Sequence, residues 1–220
     1  MQAPPLTASS CRLCLVRHGE TAWNVERRLQ GHLDVPLNPL GHRQAEATAM
    51  RLGSLRFAAL YSSDLCRAQQ TATAVANRHG LAVVTEPRLR ERHYGLFQGL
   101  TYDEAERLHP DAYRSFVQRD PGFAFPEGGE SLEDFAARVH SVLDEITVRH
   151  PGEQVLVVTH GGVLDIVHRI AARKDLHAPR DFAIPNAALN WIERTDDRWR
   201  LLRWAEQTHL EGARDELPNA

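Results

Sequence analysis

The chain has 220 residues, of which 42% are hydrophobic and 25% are charged, as in an ordinary soluble globular protein. Its formal net charge of −3 argues against a nucleic-acid-binding protein, because such proteins carry a strongly basic face. No stretch approaches the ~20 consecutive apolar residues of a membrane-spanning helix, so we expect no membrane association. One α/β domain fits this length, and we expect it at residues 11–206, between flexible tails at 1–10 and 211–220.

The cysteines are Cys11, Cys14 and Cys66. An odd number of cysteines, in a chain whose start lacks a basic-then-apolar signal segment, predicts reduced thiols and a cytoplasmic protein. Cys11 and Cys14 form a C-x-x-C pair, but no second pair completes a zinc site. The pair lies at the start of a strand instead of a helix, which is the wrong place for a redox centre. We therefore expect both residues to be buried in that strand.

Apolar strands and amphipathic helices alternate along the chain. The first strand, over residues 13–16, leads into a loop at 19–39, and loops of that length are usually functional. Asn38 and Pro39 are typical of a helix start, and Gly80 is typical of a helix end. We expect helices at about 40–52, 65–79, 131–149 and 161–173, and further strands at about 58–62, 81–85, 155–159 and, as a pair, within 187–205.

This alternation predicts an α/β fold with a mostly parallel sheet and helices on both faces. The segment from about 93 to 130 is less regular, because glycines and prolines interrupt it. We interpret it as an insertion with one or two short helices, within the same domain.

Two of the buried strands end in a histidine that is followed at once by glycine. Arg17 and His18 follow the first strand, and His160 follows a later one. In an open parallel sheet, ligand sites form outside the carboxyl ends of the strands, so these side chains are expected to converge. Arg67 and Glu91 come shortly after two other strands and are expected at the same edge.

These residue types suit the cleavage of a phosphate monoester. Arg17, Arg67 and a protonated His160 can stabilise the charge that develops on the phosphate oxygens. A neutral His18 can attack phosphorus and form a phosphohistidine. The departing alkoxide needs a proton, for which Glu91 is a candidate. None of these steps calls for a metal.

Two other classes of function are weaker interpretations of the same residues. A metal phosphatase would need paired His and Asp ligands, and no such motif is visible. A non-catalytic phosphate-binding module would be expected to lose a pocket residue, and none is missing. The remaining histidines, His32 and His93 among them, are expected to be surface or packing residues.

The sequence resembles the histidine phosphatases, the family that includes the cofactor-dependent phosphoglycerate mutase, from about residue 13 to residue 204. Several segments carry the resemblance in matching order and spacing: Arg17-His18-Gly19-Glu20, Trp23-Asn24, Gln30-Gly31 with Asp34-Val35-Pro36-Leu37, residues 62–67, residues 89–99, and Thr159-His160-Gly161-Gly162. The resemblance implies the fold of that family, a three-layer α/β/α sandwich.

The resemblance also implies the role of each site residue. His18 would be the phosphorylated nucleophile, Glu91 the proton donor and acceptor, and Arg17, Arg67 and His160 the phosphate pocket. We expect the substrate-binding residues to be Arg17, Asn24, Gln30, Gly31, Arg67, Tyr94 and Gly161, with Asn24 and the backbone of Gly161 as additional hydrogen-bond donors.

Phosphatases and mutases share this pocket, so the expected activity rests on other positions. The segment Glu91-Arg92-His93-Tyr94-Gly95 resembles the mutase version. However, Tyr102 stands where mutases place a lysine for the substrate carboxylate, and Gln118-Arg119 keeps only half of their arginine pair. Gln30 and the segment 126–131 also resemble phosphatases. We therefore expect a phosphatase that hydrolyses a small phosphorylated metabolite.

The expected partners follow from this activity. A phosphatase of this type would bind a small phosphate ester or inorganic phosphate and would need neither a metal nor a cofactor. The mutase alternative would need 2,3-bisphosphoglycerate. We expect a monomer or a homodimer.

Aromatic residues are concentrated in the insertion, where we expect most of them to pack it onto the sheet. A sharper hypothesis is that some of them line an apolar pocket over the leaving group and favour a bulky or aromatic ester. The residues concerned are Phe97, Phe116, Phe123, Phe125, Tyr94, Tyr102 and Tyr113.

Overall fold

Six strands form one mixed sheet in a computed structural model of the chain, which describes residues 6–196 and 198–213. In chain order they are β1 (Ser10–Arg17), β2 (Ala59–Ser62), β3 (Val83–Thr85), β4 (Gln154–Thr159), β5 (Leu189–Thr195) and β6 (Arg198–Glu206). Their order in the sheet is β3-β2-β4-β1-β5-β6. Strands β1 to β4 run parallel, and β5 runs antiparallel to both of its neighbours. The expectation of a mostly parallel sheet is confirmed.

Helices cover both faces of the sheet. They are α1 (Ala22–Val25), α2 (Pro39–Leu52), α3 (Cys66–His79), α4 (Tyr102–Leu108), α5 (Pro110–Val117), α6 (Leu132–Arg149) and α7 (Gly161–Ala172). Helix α1 lies within the segment expected to be a loop. The sequence did not predict this helix, because four residues are too few to show a periodic pattern. A capping box between Thr21 and Asn24 holds it. Within the described residues, no helix is long and apolar enough to cross a membrane.

Alternate residues of β1 point to opposite faces of the sheet, and each face has its own apolar core. Leu13 and Leu15 pack with residues of α6 and α7, whereas Cys14 and Val16 pack with residues of α2 and α3. A strand covered by helices on both sides has no polar face, which explains the unbroken apolar run of β1. The three-layer α/β/α sandwich is confirmed, and Cys11 and Cys14 are buried strand residues as expected.

The insertion between β3 and α6 folds around its own aromatic cluster. It contains α4 and α5, in agreement with the expectation of one or two short helices. Phe97 and Phe125 form its centre, with ring centroids 5.1 Å apart, and both are nearly fully buried. Tyr94 and Phe116 pack against them. The expected packing onto the sheet is therefore corrected for Phe97 and Phe125, which pack within the insertion in a cluster that includes no residue of the six strands.

The boundaries of the expected tails need a small correction. The chain after β6 packs back onto α2, where Ala213 is buried and its carbonyl oxygen accepts a hydrogen bond from Gln44. At the other end, Ser10 belongs to β1. Single buried residues leave no periodic pattern, so the sequence does not reveal these contacts. Outside the described residues lie positions 1–5 and 214–220 and, in the turn expected between β5 and β6, Asp197.

Two glycines bring the loop after β1 against the start of α2. A Cβ added to Gly19 would lie 2.4 Å from the carbonyl oxygen of Gly41. A Cβ added to Gly41 would lie 2.1 Å from the carbonyl oxygen of Glu20. We expect Gly41→Ala to lower the free energy of unfolding by about 1–3 kcal/mol, because the backbone would have to shift. Denaturant unfolding measures this loss.

The matched control is Gly122→Ala, where the nearest heavy atom would be 3.9 Å from the added Cβ. This variant should unfold at nearly the wild-type denaturant concentration. Equal losses in the two variants would contradict the close-approach explanation for Gly41.

Candidate active site

The carboxyl ends of β1 and β4 bring His18 and His160 together. The two strands pair in parallel with Arg17 opposite Thr159, so the residue after each strand is a histidine. The ring centroids lie 5.2 Å apart, and the two residues are only 3% and 0% exposed. The convergence expected from the sequence is confirmed for this pair.

A backbone carbonyl determines which nitrogen of the His18 ring carries the proton. Nδ1 lies 2.8 Å from the Gly19 carbonyl oxygen. Since a carbonyl can only accept, Nδ1 carries the proton and Nε2 carries the lone pair. Burial, and after it the charges of Arg67 and Arg17, lower the pKa of His18 well below its usual value. The ring is therefore neutral, and Nε2 can act as a nucleophile.

Arg67, in the first turn of α3, is a fully buried cation. Its two terminal nitrogens donate to the carbonyl oxygens of Leu33 and Gly31, both at 2.8 Å. Carbonyl oxygens orient a guanidinium without cancelling its charge. Burial lowers the pKa of Arg67 to about 10, so the side chain stays charged at neutral pH. This fixed charge suits the binding of a phosphate group.

Arg17, the last residue of β1, lies against the start of α7. Its Nη1 donates to the Ile184 carbonyl oxygen at 2.7 Å. A Cβ added to Gly161 would lie 3.4 Å from Arg17 Nε, so the guanidinium is adjacent to the first residue of α7. The pKa of His160 is lowered mainly by burial and, to a smaller extent, by the charges of Arg67, His18 and Arg17. Two cations therefore act on the histidine pair.

His160 is oriented by Ser63. Its Nε2 lies 2.8 Å from Ser63 Oγ, and that hydroxyl already accepts the N–H of Leu65 at 3.3 Å. The hydroxyl has its proton free to donate to Nε2, and with that orientation Nδ1 is the protonated nitrogen of a neutral ring. Nδ1 is buried and has no hydrogen-bond partner among the described residues.

The expectation of a protonated His160 is corrected by this environment. Burial is the main cause that lowers its pKa well below the usual value, and the two nearby arginines add to it. Sequence reasoning missed this effect because it depends on how close distant residues come in the fold. A neutral imidazole replaces the expected imidazolium.

Glu91 follows a short 3-10 helix (Pro87–Leu89) and reaches the start of α7. Its Oε2 accepts the N–H of Gly162 at 2.9 Å, and its Oε1 accepts the N–H of Arg92 at 2.8 Å. A Cβ added to Gly162 would lie 2.1 Å from Glu91 Oε1, so only glycine leaves room for the carboxyl group. The helix start that carries His160 thus also holds Glu91.

Residues 13–207 match the family described as the histidine phosphatase superfamily (branch 1). The chain belongs to this family. Phosphoglycerate mutase-like protein 4 of Arabidopsis thaliana is 42% identical over 202 residues, which cover 90% of this chain and 86% of that protein. A metal-independent phosphoserine phosphatase of the same plant is 41% identical over 201 residues, which cover 90% and 82%. Among solved structures, Bacillus stearothermophilus YhfR matches with a TM-score of 0.84 and 34% identity, covering 91% of this chain and 100% of that one.

Of the other residues implied by the histidine phosphatase resemblance, Asn24 lies near the backbone of His18. Asn186 Nδ2 donates to the His18 carbonyl oxygen at 2.8 Å and lies 3.5 Å from Asn24 Oδ1. Asn24 Oδ1 also accepts the N–H and the hydroxyl of Thr21, both at 3.0 Å. The structure therefore shows Asn24 capping α1, and its contact with substrate stays a prediction.

Gln30 and Gly31 lie next to Arg67. Gly31 has a φ of +53°, a conformation that favours glycine, and its carbonyl binds the arginine. Gln30 is buried, and its Oε1 has no hydrogen-bond partner among the described residues. Tyr94 packs in the aromatic cluster of the insertion; burial, and after it the charge of Glu91, raise the pKa of its hydroxyl. Substrate binding by these three residues stays a prediction.

Sequence reasoning did not assign roles to three residues that shape the site. Ser63 orients His160, Asn186 binds the carbonyl of His18, and Ile184 binds Arg17 through its own carbonyl. Ser63 lies within a segment that carries the family resemblance, which is a usable signal. The other two act on or through backbone groups, which every residue type possesses.

The neutral histidines give a prediction about pH. Because burial and two cations disfavour imidazolium, we expect His18 and His160 to remain neutral as the pH falls through 6.5, the ordinary pKa of histidine. Nitrogen NMR of the two rings in phosphate-free buffer measures this. Arg67→Gln removes one charge and should raise both pKa values toward 6.5. Fully protonated rings at pH 6 in the wild type, or unchanged titrations in Arg67→Gln, would contradict the electrostatic argument.

Proposed function

We propose that this histidine phosphatase is a metal-independent phosphomonoesterase that acts on a small phosphorylated metabolite through a phosphohistidine at His18. One observation carries the proposal: His18 is buried and neutral, and its Nε2 lone pair is available in a site that contains two cations. A neutral imidazole in such a site can attack a phosphate dianion that the cations hold.

In the first step, Arg17, Arg67 and the Nδ1–H of His160 bind the phosphate oxygens. The lone pair of His18 Nε2 forms a bond to phosphorus while the bond from phosphorus to the ester oxygen breaks. The departing oxygen takes a proton from the carboxyl group of Glu91, which becomes a carboxylate. The products are the phosphohistidine and a free alcohol.

In the second step, the carboxylate of Glu91 accepts a proton from water. The water oxygen attacks phosphorus, the bond from phosphorus to His18 Nε2 breaks, and inorganic phosphate leaves. The N–H groups of Arg92 and Gly162 hold the carboxylate in place between the two steps. Because one carboxyl group gives and then takes back the proton, the cycle closes without a metal.

The states of two side chains, Arg119 and Tyr102, support hydrolysis over the mutase reaction. The guanidinium of Arg119 donates to Asp165 Oδ2 at 2.7 Å and to the Leu176 carbonyl oxygen at 2.9 Å, so it is engaged within the protein. Burial raises the pKa of Tyr102, which therefore supplies an uncharged hydroxyl at the position where mutases have a lysine. The name of the phosphoserine phosphatase relative agrees with this choice.

The alternative is a phosphoglycerate mutase that uses 2,3-bisphosphoglycerate. It is favoured by the mutase-like segment from Glu91 to Gly95 and by the name of the other Arabidopsis relative. A mutase must return the phosphoryl group to a bound carboxylic acid, which requires cationic contacts for the carboxylate. The engaged Arg119 and the uncharged Tyr102 argue against those contacts.

Phosphate release in EDTA tests the proposal. We expect the wild type to hydrolyse several monoesters from a panel that includes 3-phosphoglycerate, and His18→Ala to lose at least about a thousandfold in kcat/KM, as for a missing nucleophile. His42→Ala, which changes an exposed histidine of α2, is the control and should behave as wild type. Turnover that needs added metal, or that survives in His18→Ala, would contradict the proposal. Isomerisation of 3-phosphoglycerate that needs 2,3-bisphosphoglycerate would favour the mutase.

Gly162→Ala tests the position of Glu91. The added methyl group would overlap the carboxyl group, so we expect kcat/KM for alkyl phosphates to fall by about tenfold or more through lost proton transfer. Gly212→Ala, with no heavy atom within 4 Å of the added Cβ, is the control. A Gly162→Ala enzyme with full activity would show that the carboxyl group is not needed in this position.

A further inference from the structure

One short loop, residues 30–34, contacts both the phosphate-binding cation and the proton donor. The carbonyl oxygens of Gly31 and Leu33 bind the guanidinium of Arg67. Between them, His32 Nε2 lies 2.8 Å from the carbonyl oxygen of Glu91. Since a carbonyl can only accept, His32 Nε2 carries the proton and donates it to this bond.

His32 is itself held in a defined orientation. Its backbone N–H donates to Gln98 Oε1 at 2.7 Å. Its ring packs edge-on against the ring of His93, with centroids 4.7 Å apart. Burial lowers the pKa of His32, which keeps the ring neutral at physiological pH. A side chain fixed in this way can fix its hydrogen-bond partner.

The Glu91 carbonyl has a second and weaker donor. Arg138 Nη2 lies 3.3 Å from it, but the same guanidinium makes shorter contacts with the carboxylate of Glu130, at 2.7 Å, and with the Arg88 carbonyl oxygen, at 2.6 Å. His32 therefore supplies the short bond to the backbone of Glu91, and Arg138 mainly serves its other partners.

We infer that His32 is a positioning residue that sets Glu91 against the phosphate-binding group Arg67. The loop 30–34 contacts Arg67 through two carbonyls and Glu91 through one imidazole, so a single segment sets the position of Glu91 relative to the cation that would hold the phosphate. This inference rests on the proposed function, in which Glu91 protonates the leaving group. It assigns a role to a histidine that the sequence indicated only as a surface or packing residue.

His32→Phe removes the donor and keeps a ring of similar size. Phenyl phosphate and p-nitrophenyl phosphate are matched substrates, because the nitrophenolate leaves readily without a proton and the more basic phenolate does not. We expect His32→Phe to lower kcat/KM by about tenfold for phenyl phosphate and by less than about twofold for p-nitrophenyl phosphate. An equal loss on both esters, or no loss on either, would overturn the inference.

Two further variants complete the design. His32→Gln restores an N–H donor without the ring and should recover most of the wild-type ratio between the two esters. His42→Phe makes the same substitution at an exposed histidine of α2 and should leave the ratio unchanged. If His32→Gln behaves like His32→Phe, the hydrogen bond is not the reason for the effect and the inference fails.

A measurement independent of turnover reports on the position of Glu91. The N–H of Gly162 donates to Glu91 Oε2, so its hydrogen exchange should quicken in His32→Phe and remain near wild type in His32→Gln. Unchanged exchange in His32→Phe would overturn the positioning role. If Glu91→Gln affects neither ester, the proposed function of Glu91 fails, and the exchange result alone still decides whether His32 positions that residue.

Discussion

The site depends on the parallel register of β1 and β4. With Arg17 opposite Thr159, the next residue of each strand is a histidine at the same edge of the sheet, and the two rings come within 5.2 Å. A slip of one residue would move every side chain of β1 to the opposite face of the sheet. The two apolar cores oppose such a slip, because neighbouring residues of β1 are buried in different cores. The packing of the sheet therefore sets the geometry of the histidine pair.

Charge and burial act together at this edge. Burying a guanidinium costs free energy unless its N–H groups are paired. The carbonyls of Gly31 and Leu33 pair one N–H of each terminal nitrogen of Arg67 without neutralising the charge, whereas Arg67 Nε has no hydrogen-bond partner among the described residues. The retained charge then disfavours protonation of His18 and His160, which are already desolvated. The same physical condition that suits a phosphate dianion thus keeps His18, the nucleophile of the proposed mechanism, in its neutral form.

Two glycines at helix starts allow neighbouring segments to approach closely, which helps to fix the positions of groups in the site. Gly162 leaves room for the carboxyl group of Glu91 at the start of α7, and Gly41 leaves room for the backbone of Glu20 at the start of α2. At both places a helix start lies directly against the chain that carries a site residue. The loop 30–34 adds a third constraint, since it contacts Arg67 and Glu91 at once. Catalysis by proton transfer needs such fixed distances, because its efficiency falls steeply with misplacement.

The strands, most of the helices and the identity of the site candidates follow from patterns in the amino-acid sequence. The unbroken apolar runs before His18 and His160 predict strands that are buried on both faces. In a parallel sheet, the residues that follow such strands lie at the same carboxyl-terminal edge. Three features could be recognised only in the folded chain: the neutral state of His160, the helix α1, and the contact of His32 with Glu91. The reason is physical: a pKa depends on charges brought close from distant segments, and a contact with a backbone carbonyl leaves no pattern in the side chains.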